Sequence, residues 1–228
     1  MKFYTWAEIK AKVQRDLDIE SEVFVNDAEL LGYCNDAIDE AEAEIMGVYS
    51  DYFLARETIT LVSGTETYSL PSDIFAHKVR RVMYNNGSSV YEIRRMRDWH
   101  KIEEYEHALN NSTASTYKYF IMNDTAGTPQ LLLSPTPTES GAYVKMWHLR
   151  NATRLTGDSS ACDIPEFITF IYAYIKEQVM AKEGHPSLIK AVQDTLRQRE
   201  LMKVTLQTMV PDGENTIEPD LDIYYEMS

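Results

Sequence analysis

The sequence predicts an α+β protein. Both chain ends form one antiparallel helical bundle, a small and mainly antiparallel β unit is inserted between them, and an extended C-terminal arm follows. Three observations carry this reading. Apolar residues recur at helical spacing near both ends, the spacing changes to strict alternation in the middle, and the last nineteen residues have neither pattern at length. The expected boundaries are 1–56 for the first helices, 57–151 for the insertion, 152–209 for the returning helices and 210–228 for the arm. With 228 residues and 44% hydrophobic content, the chain can bury a sizeable core.

Thr5 followed by Glu8 reads as a capping box, in which the hydroxyl and the carboxylate each serve a free backbone N–H. Ile9, Val13 and Leu17 then mark a helix over 6–17. Asn26 is a good N-cap, with Asp27 and Glu29 near the positive end of the helix dipole. Leu30, Leu31, Cys34, Ala37, Ile38, Ala41 and Ile45 give one apolar face of a helix ending near Tyr49. Asp36, Asp39, Glu40, Glu42 and Glu44 occupy its other faces.

Alternation over 58–62 and 66–70, with Ser63-Gly64 between, predicts a hairpin. A strand over 77–84 and another over 90–96 flank Asn86-Gly87, a strong hairpin signal. A short amphipathic helix over 97–109 and a polar loop over 110–116 follow. Strands over 117–122, 130–134 and 142–149 complete the insertion. Pro165 suits a first helical turn. Phe167, Ile168, Ile171, Tyr172, Ile175 and Val179 then recur at helical spacing up to Gly184-His185-Pro186. The last helix, 187–209, carries Leu188, Val192, Leu196, Met202 and Leu206 as its expected inner face. The short joint implies antiparallel neighbours.

Composition narrows the function. A net charge of -14 argues against a groove that wraps nucleic-acid phosphates. Fifteen Tyr and three Trp suit interfaces, where they bury area and keep a polar tip. Cys34 and Cys162 form neither a metal motif nor a disulfide framework and read as buried free thiols. The first residues lack a secretory leader pattern, and no apolar run nears the roughly 20 residues of a membrane helix. A soluble protein made in a cytoplasm is expected, without membrane partners.

Catalytic and cofactor motifs are missing from the sequence. Gly64, Gly87 and Gly127 serve turns and form no phosphate loop. His100 and His107, with Glu103 and Glu104 between them, lack a clear third metal ligand and read as a solvated helix face. Ser134 precedes Pro135 without a nucleophile elbow. The expectation is therefore no enzyme, no cofactor and no metal. A hydrolase and a nucleic-acid module centred on Arg80 and Arg94 are the alternatives.

One basic cluster stands out in this acidic chain: Lys78, Arg80, Arg81, Arg94, Arg95, Arg97 and Lys101. The Asn86-Gly87 turn is expected to bring its two halves onto neighbouring strands. Contact with an acidic face of an identical subunit ranks first, ordinary solvation second and phosphate binding third.

Several stretches resemble head-to-tail adaptor proteins of tailed bacteriophages, in particular the portal-bound, tail tubular protein A-like class of short-tailed phages. They are Tyr68-Ser69-Leu70-Pro71-Ser72-Asp73 leading to Val79-Arg80-Arg81-Val82; Gly127-Thr128-Pro129 with Leu131 to Pro137; Ile164-Pro165 with Phe167-Ile168 and Tyr172-Ala173-Tyr174; and Asn35-Asp36-Ala37-Ile38 with Glu40. Their order and spacing over 5–209 carry the resemblance. It implies a virion protein at the head–tail junction, in a ring commonly of twelve copies under the portal protein. It further implies a DNA channel without specific DNA binding, and a tail (nozzle or tubular) protein bound beneath.

In that family a C-terminal extension often engages the portal. The arm 210–228 has six acids, no base, and the apolar series Leu221, Ile223, Tyr224, Tyr225 and Met227. These five residues are the expected portal anchors, and their alternation suits addition to an exposed sheet edge.

Overall fold

The computed structural model describes residues 3–19, 24–96 and 117–209. In chain order the elements are β1 (Tyr4–Thr5), α1 (Trp6–Leu17), α2 (Asp27–Val48) and a 3-10 turn (Ser50–Phe53). Strands β2 (Leu54–Thr60), β3 (Thr67–Ser69), β4 (Ile74–Asn85), β5 (Val90–Glu92), β6 (Arg94–Arg95), β7 (Lys118–Asn123), β8 (Pro129–Ser134) and β9 (Tyr143–Arg150) follow. Then come β10 (Ala161–Cys162), a second 3-10 turn (Pro165–Phe167), α3 (Ile168–Glu183) and α4 (Leu188–Met209). This is the expected α+β class. The described residues divide into two compact units, one drawn from 1–52 and from 152 onward, the other from 53–151. The expected short helix over 97–109 lies outside the described residues.

In the helical unit, both early helices start where local chemistry dictates. Thr5 Oγ1 accepts from the Glu8 N–H (3.3 Å), and Glu8 accepts from the Thr5 N–H (3.1 Å). Asn26 and Glu29 form the same reciprocal pair at α2 (2.9 and 3.3 Å). Replacing Asn26 by Ala is expected to cost about 1 kcal/mol and Asn26→Ser almost nothing, because Ser keeps an acceptor for the N3 amide. Chemical denaturation of the two variants checks this.

Trp6, Ile9 and Val13 of α1 are buried, as are Leu30, Cys34, Ala37, Ile38, Ala41 and Ile45 of α2. Helix α3 contacts α1, α2 and α4. Its buried residues Phe170, Ile171, Tyr172 and Ile175 are therefore not confined to one stripe, as expected of a helix enclosed on several sides. Gly184 ends α3 in the left-handed region (φ 67°), which a side chain at that position would strain. The pair β1–β10 joins Tyr4 to Cys162 and Thr5 to Ala161.

The inner face of α4 differs from expectation. Ala191, Thr195, Met202 and Leu206 are buried, whereas Leu196 is 54% exposed. A small Ala at the seam lets α4 approach its neighbours closely. The Thr195 hydroxyl satisfies itself by donating to the Ala191 carbonyl (3.1 Å), which removes the main cost of burying it. Acids of α2 meet cations from the other end of the chain. Arg199 pairs with Glu40 and Glu44, Lys203 with Glu44, Arg154 with Asp39, and Lys182 with Glu29.

The β unit holds two four-stranded sheets, ordered β2-β9-β4-β5 and β3-β8-β7-β6. All pairings are antiparallel except β6–β7. Val82, Val144 and Met146 from the first sheet and Ile121, Leu131 and Leu133 from the second share one core. The Asn86-Gly87 hairpin forms, with Asn85 opposite Val90. The expected hairpin across Ser63-Gly64 does not. Strand β2 pairs with β9 and β3 with β8, so Gly64 (φ 79°) turns the chain from one sheet into the other. The Tyr68 hydroxyl pins that corner, accepting from the Val62 N–H (3.1 Å) and donating to the Thr65 carbonyl (2.9 Å).

Candidate interaction surfaces

Lys78, Arg80 and Arg81 lie on β4, Arg94 and Arg95 on β6, and all five are exposed. Arg97 and Lys101 lie outside the described residues. The expectation that the turn sets both groups on neighbouring strands is overturned. Strand β4 belongs to the first sheet, and β6 pairs in parallel with β7 of the second. The crossing occurs at Ile93. Its N–H donates to the Val82 carbonyl (2.8 Å), and three residues later the Met96 N–H donates to the Tyr119 carbonyl (2.7 Å). A single apolar residue within a continuous polar–apolar run thus separates the two halves.

The exposure of both Arg80 and Arg81 has a backbone cause. Val79 faces His148 and Arg81 faces Trp147, so β4 holds one extra residue there. Such a bulge breaks the alternation that would bury every second side chain. Arg81 also reaches Glu92 across the hairpin (3.2 Å), an exposed pair that adds little stability.

Just before the bulge, Ala76 and His77 have φ of 46° and 55°. A left-handed residue with a Cβ costs roughly 1–2 kcal/mol, and a glycine's extra unfolded-state entropy about 0.5–1 kcal/mol. Ala76→Gly is therefore expected to stabilise the β unit by about 0.5–1 kcal/mol, read as a higher denaturation midpoint. A lower midpoint would show that Ala76 is held there without strain.

The described residues offer little catalytic chemistry. Burial pushes the Cys34 thiol up to about 12 and the Cys162 thiol to about 11, far from a reactive thiolate. His148 is 2% exposed, and its Nε2 lies 3.8 Å from Asp73, beyond hydrogen-bond distance. Ser134 is buried at 1% exposure. No group of three or more potential metal ligands occurs among the described residues, and His100 and His107 lie outside them. No described helix is long and apolar enough to cross a membrane.

Two features of the helical unit escaped the sequence reading. First, α4 exposes Ile189 (73%), Leu196 (54%), Leu201 (49%) and Val204 (57%), spread around its outer half among polar residues such as Gln193 and Arg197. Second, α1, α3 and α4 enclose an open groove of about 580 Å³. Its lining mixes apolar residues such as Tyr172 and Met180 with the charged Lys12, Asp16, Lys176 and Lys190. Lining residues from three helices far apart in sequence leave no local pattern to read. The anchors Leu221, Ile223, Tyr224, Tyr225 and Met227 lie outside the described residues.

The family model for the SU10 adaptor protein matches residues 4–215. The chain belongs to the SU10 adaptor protein family. This bears out the resemblance to phage head-to-tail adaptors. No curated protein matches the chain. An adaptor is a structural phage protein, and its chemistry resides in surfaces that meet other proteins. The family match extends six residues beyond Met209, the last described residue.

Proposed function

We propose that the protein forms a ring, twelve copies being the expected number, under the portal of a short-tailed phage. There it extends the DNA channel without specific DNA contacts and provides the surface on which a tail protein docks. Segment 210–228 engages the portal through Leu221, Ile223, Tyr224, Tyr225 and Met227. The observation that carries this reading is the adaptor family match over 4–215. Electron microscopy of the protein mixed with its portal tests it directly: an added ring below the portal is the expected image, and bare portals would overturn the reading.

Contact between copies is assigned to the exposed cations Lys78, Arg80, Arg81, Arg94 and Arg95 and to Arg97, each meeting acids of the next copy. Reversing Lys78 and Arg95 to Glu is expected to leave the melting curve unchanged. It should weaken self-association in low salt by about tenfold or more, the scale of replacing attraction by like-charge repulsion. Sedimentation analysis reads the effect. Salt-dependent DNA binding lost in the same variant would favour a nucleic-acid module instead.

A further inference from the structure

We propose that the groove between α1, α3 and α4 is the seat of segment 210–228 of the same chain before a partner is met. The inference rests on the reading of this segment as one that docks, and adds where it lies beforehand. The groove, at about 580 Å³, falls within the range of about 300–1,000 Å³ typical of sites that enclose a ligand. Its lining combines apolar area from the half-buried Ala173 and Met180, with the nearly buried Tyr172 and Ala191 beneath, with Lys12, Lys176 and Lys190 and only two acids, Asp16 and Asp194. Three cations against two acids leave the groove at +1, on a chain of net charge -14.

The charges within the groove are unequally engaged. Asp16 holds Lys176 (2.8 Å) and Lys12 (3.3 Å). Lys190 is exposed and has no ion-pair partner among the described residues. Segment 210–228 offers the complementary chemistry, six acids without a base, interleaved with large apolar side chains. Acids on Lys190 and apolar anchors over Ala173 and Met180 would satisfy both halves of the lining.

Reach selects the chain's own segment. Along α4 the groove spans Ser187 to Gln198. At 1.5 Å per residue these points lie about 33 and 16 Å from Met209. The twelve residues 210–221 extend to at most about 40 Å, long enough to cover either distance. Tethering makes the contact intramolecular and spares it the entropy of bringing two molecules together.

The test uses the full chain with Ser228→Cys carrying a nitroxide. Cys34 and Cys162 are buried free thiols and leave the label to the new site. At high dilution the methyl signals of Met180 and Ala191 are expected to broaden selectively, with Met146 of the β unit as the reference. Raising the salt or reversing the exposed Lys190 to Glu should abolish the broadening. Equal signals for groove and reference methyls would overturn the proposal. So would broadening that appears only when labelled chains are mixed with separate isotope-labelled ones, because the occupant would then be a second copy. Portal docking has no part in this readout, so its failure and the failure of this seat are separately visible.

Discussion

Removing residues 210–228 is expected to leave the protein folded and to abolish its joining to the portal ring. The fold should survive because α4 is secured before the deletion begins: Met202 is 2% exposed and Leu206 fully buried, and Arg199 and Lys203 reach Glu44. Docking should not survive, for an energetic reason. Burial of Leu221, Ile223, Tyr224 and Tyr225 yields roughly 1.5–3 kcal/mol each. Fixing the backbone of the ordered segment costs about 1–2 kcal/mol per residue. A single segment therefore binds marginally, and firm docking depends on many copies acting together. Sedimentation with portal rings measures this. Truncated protein that still docks with unchanged affinity would refute the role of the segment. In mixtures of full and truncated chains, docking should fall more steeply than the full-length fraction, since collective binding is lost before the last segment is gone.

What the sequence disclosed depended on how local the determining chemistry was. Both early helix starts were legible because capping is local: a capping box needs only residues three apart, as Thr5 with Glu8 shows, and Asn26 reads as an N-cap by residue type, although its reciprocal bond with Glu29 was not read. Asn86-Gly87 was legible because the hairpin partners adjoin the turn. Ser63-Gly64 carried a turn signal of the same kind, but a turn does not reveal which strands the flanking segments will join. Their partners, β9 and β8, are more than sixty residues away. The two-residue strands β1 and β10 are too short for any periodicity. On α4 the large apolar residues pointed to Leu196, while the packed seam uses Ala191 and a self-satisfied Thr195.

The candidate surfaces followed the same rule. The basic residues were found by their charge, but their division between two sheets was hidden at Ile93, which looks like any other strand residue. The left-handed pair Ala76 and His77 was equally hidden, because neither residue type advertises a positive φ. The groove depends on residues 12–17 meeting residues 169–198. Only the packed helices reveal it.

Ile93 is the residue at which truncation is expected to cost the β unit most relative to its size. It is 2% exposed within the shared core of the two sheets, and its N–H bonds to Val82 as the chain leaves the first sheet. Ile93→Ala removes buried methyl groups and leaves a cavity lined from both sheets, which cannot close from one side alone. The expected cost is about 2–5 kcal/mol, against about 0.5–1.5 kcal/mol for Ile93→Val. A domain of ordinary stability has only about 5–15 kcal/mol in total, so the alanine variant should stand near the edge of unfolding. Hydrogen exchange supplies the local readout. The Met96 amide, held by Tyr119 across the crossing, should lose protection well before the amides of β9 do. If Ile93→Ala costs no more than Ile93→Val, the sheets close over the gap and the crossing is not pinned there. If it costs the expected amount, the placement of Arg94 and Arg95 relative to Arg80 and Arg81 depends on one buried side chain. Ile93→Ala should then weaken the proposed contact between copies without altering a single charge.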